Sequence, residues 1–349
     1  MEKYYLVSVI IPAYKTACYI DKCLSSVIEQ DYKNLEIVVV DDGSPDGLHR
    51  IVERYSEADS RVRLIRQNNT GAAGARNRGL KEAKGDFIFF LDSDDWLQPN
   101  AISLLLNKAA KENTDVVIPD RFYKVYGNGK QVEELMFLNS EKYRQPADFL
   151  VEVVIGQGRA WRVASVLYRA SIIKTYDIRF PEGHTAEDVI FNLEFLSKAR
   201  NIAFIDYPIL IVNKRHDSVT ASYQKNLFET FLLIDQKAMT ILKELNCPNS
   251  ISETAIDSLL CRNIILLIQN EMSHGNTKQL ADKISYINFA LNNSRVRDAF
   301  NRKEFLIPYW NSKLKVFYIV FMRYLVKFRL NKIAITIAWL SNMILKVLR

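Results

Sequence analysis

Two hydrophobic periods alternate through the first 120 residues, and this alternation restricts the fold more than any other feature. The segments VSVIIP (7–12), LEIVVV (35–40), RVRLI (61–65), DFIFFL (86–91) and DVVIP (115–119) are short β-branched or aromatic runs, each closed by Pro, Asp, Asn or Gly. Helical spacing fills the intervals, over 19–30, 48–57, 72–83 and 101–112. Strands that read as continuous apolar runs need cover on both faces, which a parallel sheet with crossover helices provides. The expected fold class is α/β, with a doubly wound, Rossmann-like, mostly parallel sheet.

Beyond this repeat, residues 121–146 are polar and turn-rich (YGNGKQ) and read as an insertion or flap. A mixed region follows, with a helix near 147–154, a strand near 164–168, a helix opening at Ala186 and strands near 202–206 and 209–213. Past residue 224 the apolar spacing is helical over 227–245, 254–272 and 278–291. These patterns divide the chain into a first domain, 1–220, a helical region, 221–304, and a tail, 305–349. With 48% apolar and 25% charged residues, intrinsic disorder, collagen-like repeats and a small disulfide scaffold are excluded. Cys18, Cys23, Cys247 and Cys261 lack metal or redox spacing, so reduced, buried thiols are expected. The first residues, MEKYYLVSVIIPAY, carry one Lys before an apolar run that stops at Pro12, with no small-residue cleavage site, and secretion is not expected.

The net charge of +7 is not spread evenly. After Glu304 no acidic residue occurs, while Lys313, Lys315, Arg323, Lys327, Arg329, Lys332, Lys346 and Arg349 supply +8, so residues 1–304 carry a net −1. A near-neutral body speaks against nucleic acid. The tail sets Trp310, Phe317, Tyr318, Phe321, Tyr324, Phe328 and Trp339 among these cations, a pattern suited to helices lying on an anionic membrane surface. Its longest uncharged runs, 316–322 and 333–345, fall short of the ~20 residues of a bilayer span. Packing on the first domain, or formation of a homo-oligomer, is the alternative use of these helices.

In a doubly wound sheet, ligands bind outside the carboxyl ends of the strands. There the sequence places Pro12, Ala13 and Tyr14; Asp41, Asp42, Gly43 and Ser44; Asn68 and Gly71; and Asp92, Ser93, Asp94 and Asp95. Asp92 and Asp94 stand two apart, so their side chains can point the same way. Two hard carboxylates in that arrangement suit Mg²⁺ or Mn²⁺ completed by phosphate oxygens. An acidic turn before the helix near Pro99 is the structural alternative, but a second acidic pair on the same rim speaks for cations or donors between them. Neither a G-x-G-x-x-G after the first strand nor a G-x-x-x-x-G-K-[ST] loop is present, which takes most of the support from dehydrogenase and kinase-like ATPase readings.

Together, VSVIIPAYKTACYIDKCLSSVIEQDYKNLEIVVVDDGSPDG, NNTGAAGARNRGL and GDFIFFLDSDDW resemble glycosyltransferase family 2, in register over about residues 5–120 and more weakly to about 220. WRVASVLYRASIIKTYDIRFPEGHTAED is similar to the W…YR…F…ED region of bacterial capsule, exopolysaccharide and teichoic-acid enzymes. The resemblance implies a GT-A fold with a nucleotide-binding half, about 1–120, and an acceptor-side half, about 121–220. It implies a UDP-sugar held by Pro12, Ala13, Tyr14, Asn68, Gly71, Arg76 and Ser93, with Tyr14 stacked on uracil and Asp41 or Asp42 accepting the ring N–H. Asn77 would join Arg76 against the donor. It further implies ribose or metal contact at Asp92, metal at Asp94, and a loop of Arg215, His216 and Ser218 over the diphosphate. Asp188 is implied as general base, with Glu187 beside it on sugar hydroxyls. Lys15 stands where the family more often has Asn.

The implied activity is inverting transfer to a glycan or lipid-linked glycan, with Mn²⁺ or Mg²⁺, by an enzyme peripheral on the inner, cytoplasmic face of the plasma membrane. Trp161 and Tyr168 are candidates for stacking on an acceptor sugar, with core packing the alternative. Glu187 and Asp188 could instead serve as the acidic first turn of a helix over 187–198. Rival functions are a catalytically idle UDP-binding partner subunit and a nucleotidyltransferase.

Overall fold

The computed structural model describes residues 4–136, 140–143, 145–151, 155, 162–214, 223–247, 249–273, 275–304 and 313–347. The chain divides into two compact units, one of Met1–Phe149, Trp161–Gly183 and Glu187–Arg215, the other of Leu150–Ala160, His184–Ala186 and His216–Arg349.

In the first unit the alternating periods become β1 (Val7–Ala13), α1 (Ile20–Ile28), β2 (Leu35–Asp41), α2 (Leu48–Ala58), β3 (Val62–Arg66), α3 (Gly71–Glu82), β4 (Phe87–Phe90), β5 (Trp96–Leu97), α4 (Ala101–Glu112) and β6 (Val116–Pro119). They continue as β7 (Arg121–Tyr126), β8 (Gln131–Leu135), α5 (Pro146–Phe149), β9 (Leu167–Arg169), α6 (Ala170–Thr175), α7 (Glu187–Lys198), β10 (Ile202–Ile205) and β11 (Leu210–Lys214). The main sheet has seven strands in the order β10-β6-β9-β4-β1-β2-β3. Only β9 runs antiparallel to its neighbours, β4 and β6; the other pairs are parallel. Every residue of β2 is buried, as expected of a parallel strand covered on both faces.

Alternation along β4 builds the two cores. Phe87 and Phe89 join β1, α1 and α4 on one face. Phe90 points to the other, where it meets Tyr168, Phe180 and Phe191 edge-on. Phe180 and Phe191 stack with centroids 4.2 Å apart, and Phe195 closes on Tyr168. Since Phe191 and Phe195 lie one turn apart on α7, this cluster fixes α7 on the sheet and with it the start of that helix.

The stretch read as a flap is in part a hairpin. β7 and β8 pair antiparallel in a second sheet, ordered β5-β11-β7-β8. Gly129, at φ +79°, closes the turn by donating its N–H to Tyr126 O at 2.8 Å. Alternation in RFYKVY and QVEEL around that turn is the strand signal, masked in sequence by the polar character of both strands.

The second unit is helical, with α8 (Leu227–Glu244), α9 (Asn249–Glu271), α10 (Leu280–Asn292), α11 (Ser294–Asn301), α12 (Lys313–Lys327) and α13 (Asn331–Val347). α9 is apolar around much of its circumference, with Leu259, Leu260, Cys261, Ile264, Ile265, Leu267 and Ile268 all buried. A helix of that kind needs cover on every side, and α8, α10, α11, α12 and α13 all pack on it. Among the described residues no helix is long and apolar enough to cross a membrane. All four cysteines are free; Cys23 and Cys261 are buried, but Cys18 is exposed, contrary to the expected burial, because it falls in the turn before α1.

Candidate functional site

The site is assembled at the carboxyl ends of β1, β2 and β4 and at the first turn of α7. Ala13 pairs in register with Asp41, so the Pro12-Ala13-Tyr14 turn and the D-D-G-S turn lie side by side. Tyr14 stands at the rim with 42% of its surface exposed. Lys15 follows at φ +54°, a left-handed conformation that Asn adopts more readily than Lys.

The two acids after β2 separate in role. Asp42 is committed to the next loop: its Oδ1 accepts from Thr70 N at 2.9 Å and Gln67 Nε2 at 2.8 Å, and its Oδ2 from Gly71 N at 2.8 Å. It thus supplies acceptors to the opening of α3, as a helix cap does. Asp41 is fully buried and its Oδ1 accepts from Ser44 N at 2.8 Å. Its Oδ2 has no hydrogen-bond donor among the described residues, with Arg66 Nε 3.5 Å away. A buried carboxylate oxygen without a donor is costly unless a ligand supplies one. Asn68 is exposed on the loop beyond β3, and Gly71, at φ +83°, begins α3.

After β4 the period of two carries through the acidic run. Asp92 and Asp94 reach the surface, whereas Ser93 and Asp95 are buried. Ser93 Oγ accepts from Thr16 Oγ1 at 2.9 Å, joining this turn to the one after β1. Asp95 accepts from Arg162 Nη1 at 3.0 Å and from Asn213 N at 2.9 Å. Burial pushes its carboxyl up to about 8, Arg162 opposes the rise, and the charges of Asp92 and Asp94 add to it. Sequence reasoning assigned Asp95 and Arg162 no role; the third acid of LDSDDW, out of phase with the other two, is the signal for an inward-facing anchor. Beside this turn Cys23 is an inert thiol, pushed up by burial and by Asp95, Asp94 and Asp92.

Arg76, buried on α3, is the hub. Its Nη2 donates to Asp92 Oδ1 at 2.9 Å, and its Nη1 to Glu187 Oε1 at 2.7 Å and Asp188 Oδ1 at 3.1 Å. The second oxygen of Asp188 accepts from Val163 N at 3.2 Å. Burial pushes the Asp188 carboxyl up to about 6, with Arg76 opposing and Glu187 and Asp92 reinforcing the shift. One guanidinium against three carboxylates leaves the cluster net negative. Asn77, the neighbour of Arg76, does not face this cluster: its amide donates to Phe180 O at 2.8 Å and accepts from Phe180 N at 2.9 Å. That clamp holds the segment over which Arg76 lies, 5.4 Å from the Phe180 ring.

Tyr168 requires a correction. Only 1% exposed, with its hydroxyl donating to Asn192 Oδ1 at 2.6 Å, it is part of the aromatic core and cannot stack on an acceptor. Trp161, Arg215, His216 and Ser218 lie outside the described residues. Among the described residues no cluster of three or more His, Cys, Asp or Glu forms a cage for a metal. The donor set instead consists of two carboxylates at one strand end, which fits a divalent cation that takes its other ligands from phosphate and water.

The family model described as Glycosyl transferase family 2 matches residues 8–167. A putative glycosyltransferase, EpsH, of Bacillus subtilis (strain 168) is 30% identical over 285 residues, covering 80% of this chain and 80% of its own. The poly(ribitol-phosphate) beta-N-acetylglucosaminyltransferase TarP of Staphylococcus aureus (strain N315) is 31% identical over 237 residues, covering 64% of this chain and 69% of its own. Among solved structures, residues 1–349 of S. aureus TarS in complex with UDP-GlcNAc superpose with a TM-score of 0.66 at 23% identity, covering 96% of this chain and 89% of that one.

Proposed function

The chain belongs to glycosyl transferase family 2, and from that premise we propose that it moves a hexosyl or N-acetylhexosaminyl group from a UDP-sugar to a hydroxyl of a bacterial surface glycan, with inversion. The observation that carries the reading is the Arg76 hub. It brings Asp92, at the end of β4, and Asp188, at the start of α7, to one guanidinium from positions 96 residues apart. The first belongs on the leaving-group side of a transfer reaction and the second on the attacking side.

In this reaction Asp41 Oδ2 accepts the uracil ring N–H and Tyr14 stacks on the base, which gives the orphaned oxygen its donor. Asp188 takes the proton of the acceptor hydroxyl as its oxygen bonds to the anomeric carbon. The bond from that carbon to the diphosphate breaks on the opposite face, and UDP leaves. Asp94 and Asp92 would hold Mn²⁺ or Mg²⁺, which would supply charge neutralisation for the departing diphosphate. Glu187 accepts hydrogen bonds from sugar hydroxyls. That TarP transfers N-acetylglucosamine to poly(ribitol phosphate) supports a polymeric surface glycan as the acceptor class; its being lipid-linked, on the inner face of the membrane, is part of the proposal.

The test is UDP release from a panel of UDP-sugars with Mn²⁺, with and without acceptor glycan. Asp94→Ala and Asp188→Ala are each expected to lower transfer by about 10²–10⁴-fold while leaving the unfolding transition in place. Full activity in either variant removes that residue from the mechanism, and pyrophosphate in place of UDP replaces the reaction class.

A further inference from the structure

α12 has two faces with opposite demands. Ile319, Met322, Leu325 and Val326 are buried toward the other helices of its unit. Phe317, Phe321, Tyr324 and Phe328, spaced by four, three and four residues, form one outward stripe and are between 40% and 67% exposed. Their rings pair in parallel along the helix, Phe317 on Phe321 at 5.9 Å and Tyr324 on Phe328 at 6.3 Å. A continuous run of large exposed rings on a folded helix marks an interaction surface.

At the carboxyl end of the stripe the chain turns into α13 through a pair of bonds that close the helix. Arg329 N donates to Val326 O at 2.9 Å and Leu330 N to Leu325 O at 2.8 Å. The residue after the helix in such a turn takes a left-handed conformation and is usually Gly; here it is Arg329, at φ +60°. Beside it lies a cavity of about 140 Å³ lined by Arg297, Lys327 and Arg329 over Phe300 and Val326, and no carboxylate is among its lining residues. Lys332, exposed at the start of α13, is the residue after Asn331 of the cavity lining. Among the described residues Lys327, Arg329 and Lys332 take part in no ion pair with a carboxylate.

We propose that the aromatic stripe of α12 and the basic cavity at its end form one surface that docks on an anionic phospholipid bilayer. The rings lie at the headgroup level, and the cavity cations take lipid phosphates. Charge decides the occupant. Arg297, Lys327 and Arg329 line the cavity with no carboxylate among its lining residues, so a second copy meeting this surface face to face would oppose two like-charged patches, whereas anionic lipid neutralises one. The docking is independent of sugar transfer and is measured without donor.

The experiment is co-sedimentation of the full chain with phosphatidylcholine vesicles, with and without phosphatidylglycerol, at increasing salt. Two variants accompany it: Phe317→Ser with Phe321→Ser and Phe328→Ser, and Lys327→Glu with Arg329→Glu. These positions are exposed or half-buried, and an unchanged melting transition together with an unchanged circular-dichroism spectrum certifies the fold. The wild type is expected to sediment only with the anionic vesicles, and each variant to bind about tenfold or more weakly. Undiminished sedimentation of the folded variants overturns the proposal. So does a wild-type dimer in light scattering that both variants turn into monomer, since that assigns the face to a second copy.

Discussion

Arg76 keeps its charge against its surroundings: burial alone works against a guanidinium, and Asp188, Asp92 and Glu187 more than reverse that effect. The same neighbours set the conduct of Asp188. Its carboxyl is raised to about 6 because it is withdrawn from water and close to Glu187 and Asp92, and Arg76 keeps it from rising further. A general base must be ionised to accept the acceptor's proton, so protonation removes activity. Transfer is expected to be flat above about pH 7 and to fall by about tenfold per unit below about pH 6, where an ordinary aspartate would hold its rate to about pH 4. A pH–rate profile with acceptor saturating checks this, and a rate constant down to pH 5 sinks Asp188 as the base. At this scale the sequence is an uneven guide. The outward pair Asp92 and Asp94 follows from strand alternation, but Asp41 and Asp42 leave the same strand end and differ only through Gln67, Thr70 and Gly71 on a later loop. Tyr168, on β9, was open between ligand and core for a similar reason, since Phe191 and Phe195, which bury it, belong to α7, later in the chain.

The element that places Arg76 is α3, and its approach to the sheet is set by what Gly79 lacks. A Cβ at Gly79 would run into Cγ2 of Ile10, a fully buried residue on β1. Ile10 is β-branched and stiff at χ1, so it has little room to yield. By helix propensity alone, Gly79→Ala would stabilise by about 1 kcal/mol. Overpacking against β1 acts the other way, by about 1–3 kcal/mol, and is expected to win. Urea denaturation should show a lower midpoint, together with reduced transfer because Arg76 moves with its helix; a midpoint equal to the wild type would mean that α3 is free to shift. The glycine-rich NNTGAAGARNRGL was legible as a tightly packed helix, and so were the five apolar runs of the first 120 residues, whose periods survive burial on both faces. The β7–β8 hairpin was not, because its strands are short, polar and paired at the far end of a second sheet. Neither was β5, a two-residue strand, below the length at which any period can be read.

For the whole molecule, the +7 of the chain is a difference between two unlike parts: residues 1–304 gather carboxylates at a strand-end rim, and the tail beyond them holds only cations. Composition gave the asymmetry, whereas which tail aromatics face outward required α9, whose apolar circumference draws Ile319 and Met322 inward and leaves Phe317 and Phe321 behind. The rim makes its own demand on the folded state. Asp41 Oδ2 is buried with no hydrogen-bond donor and only Arg66 Nε 3.5 Å away, and three carboxylates meet the one guanidinium of Arg76, so a nucleotide that supplies a donor and a cation that supplies charge would bind the native state. A ligand that binds only the native state stabilises it by RT ln(1 + [L]/Kd), about 2.7 kcal/mol at one hundred times Kd. At about 2–4 °C per kcal/mol, as for domains of 150–250 residues, the midpoint of the full chain is expected to rise by about 5–10 °C with a saturating UDP-sugar and Mn²⁺. UDP alone should produce part of that rise, since the uracil supplies the donor to Asp41. Asp41→Ala removes the buried acceptor and should abolish the response to UDP while leaving Asp92, Asp94 and Asp188 untouched. A UDP-dependent shift of wild-type size in that variant would show that the base is read elsewhere on the rim.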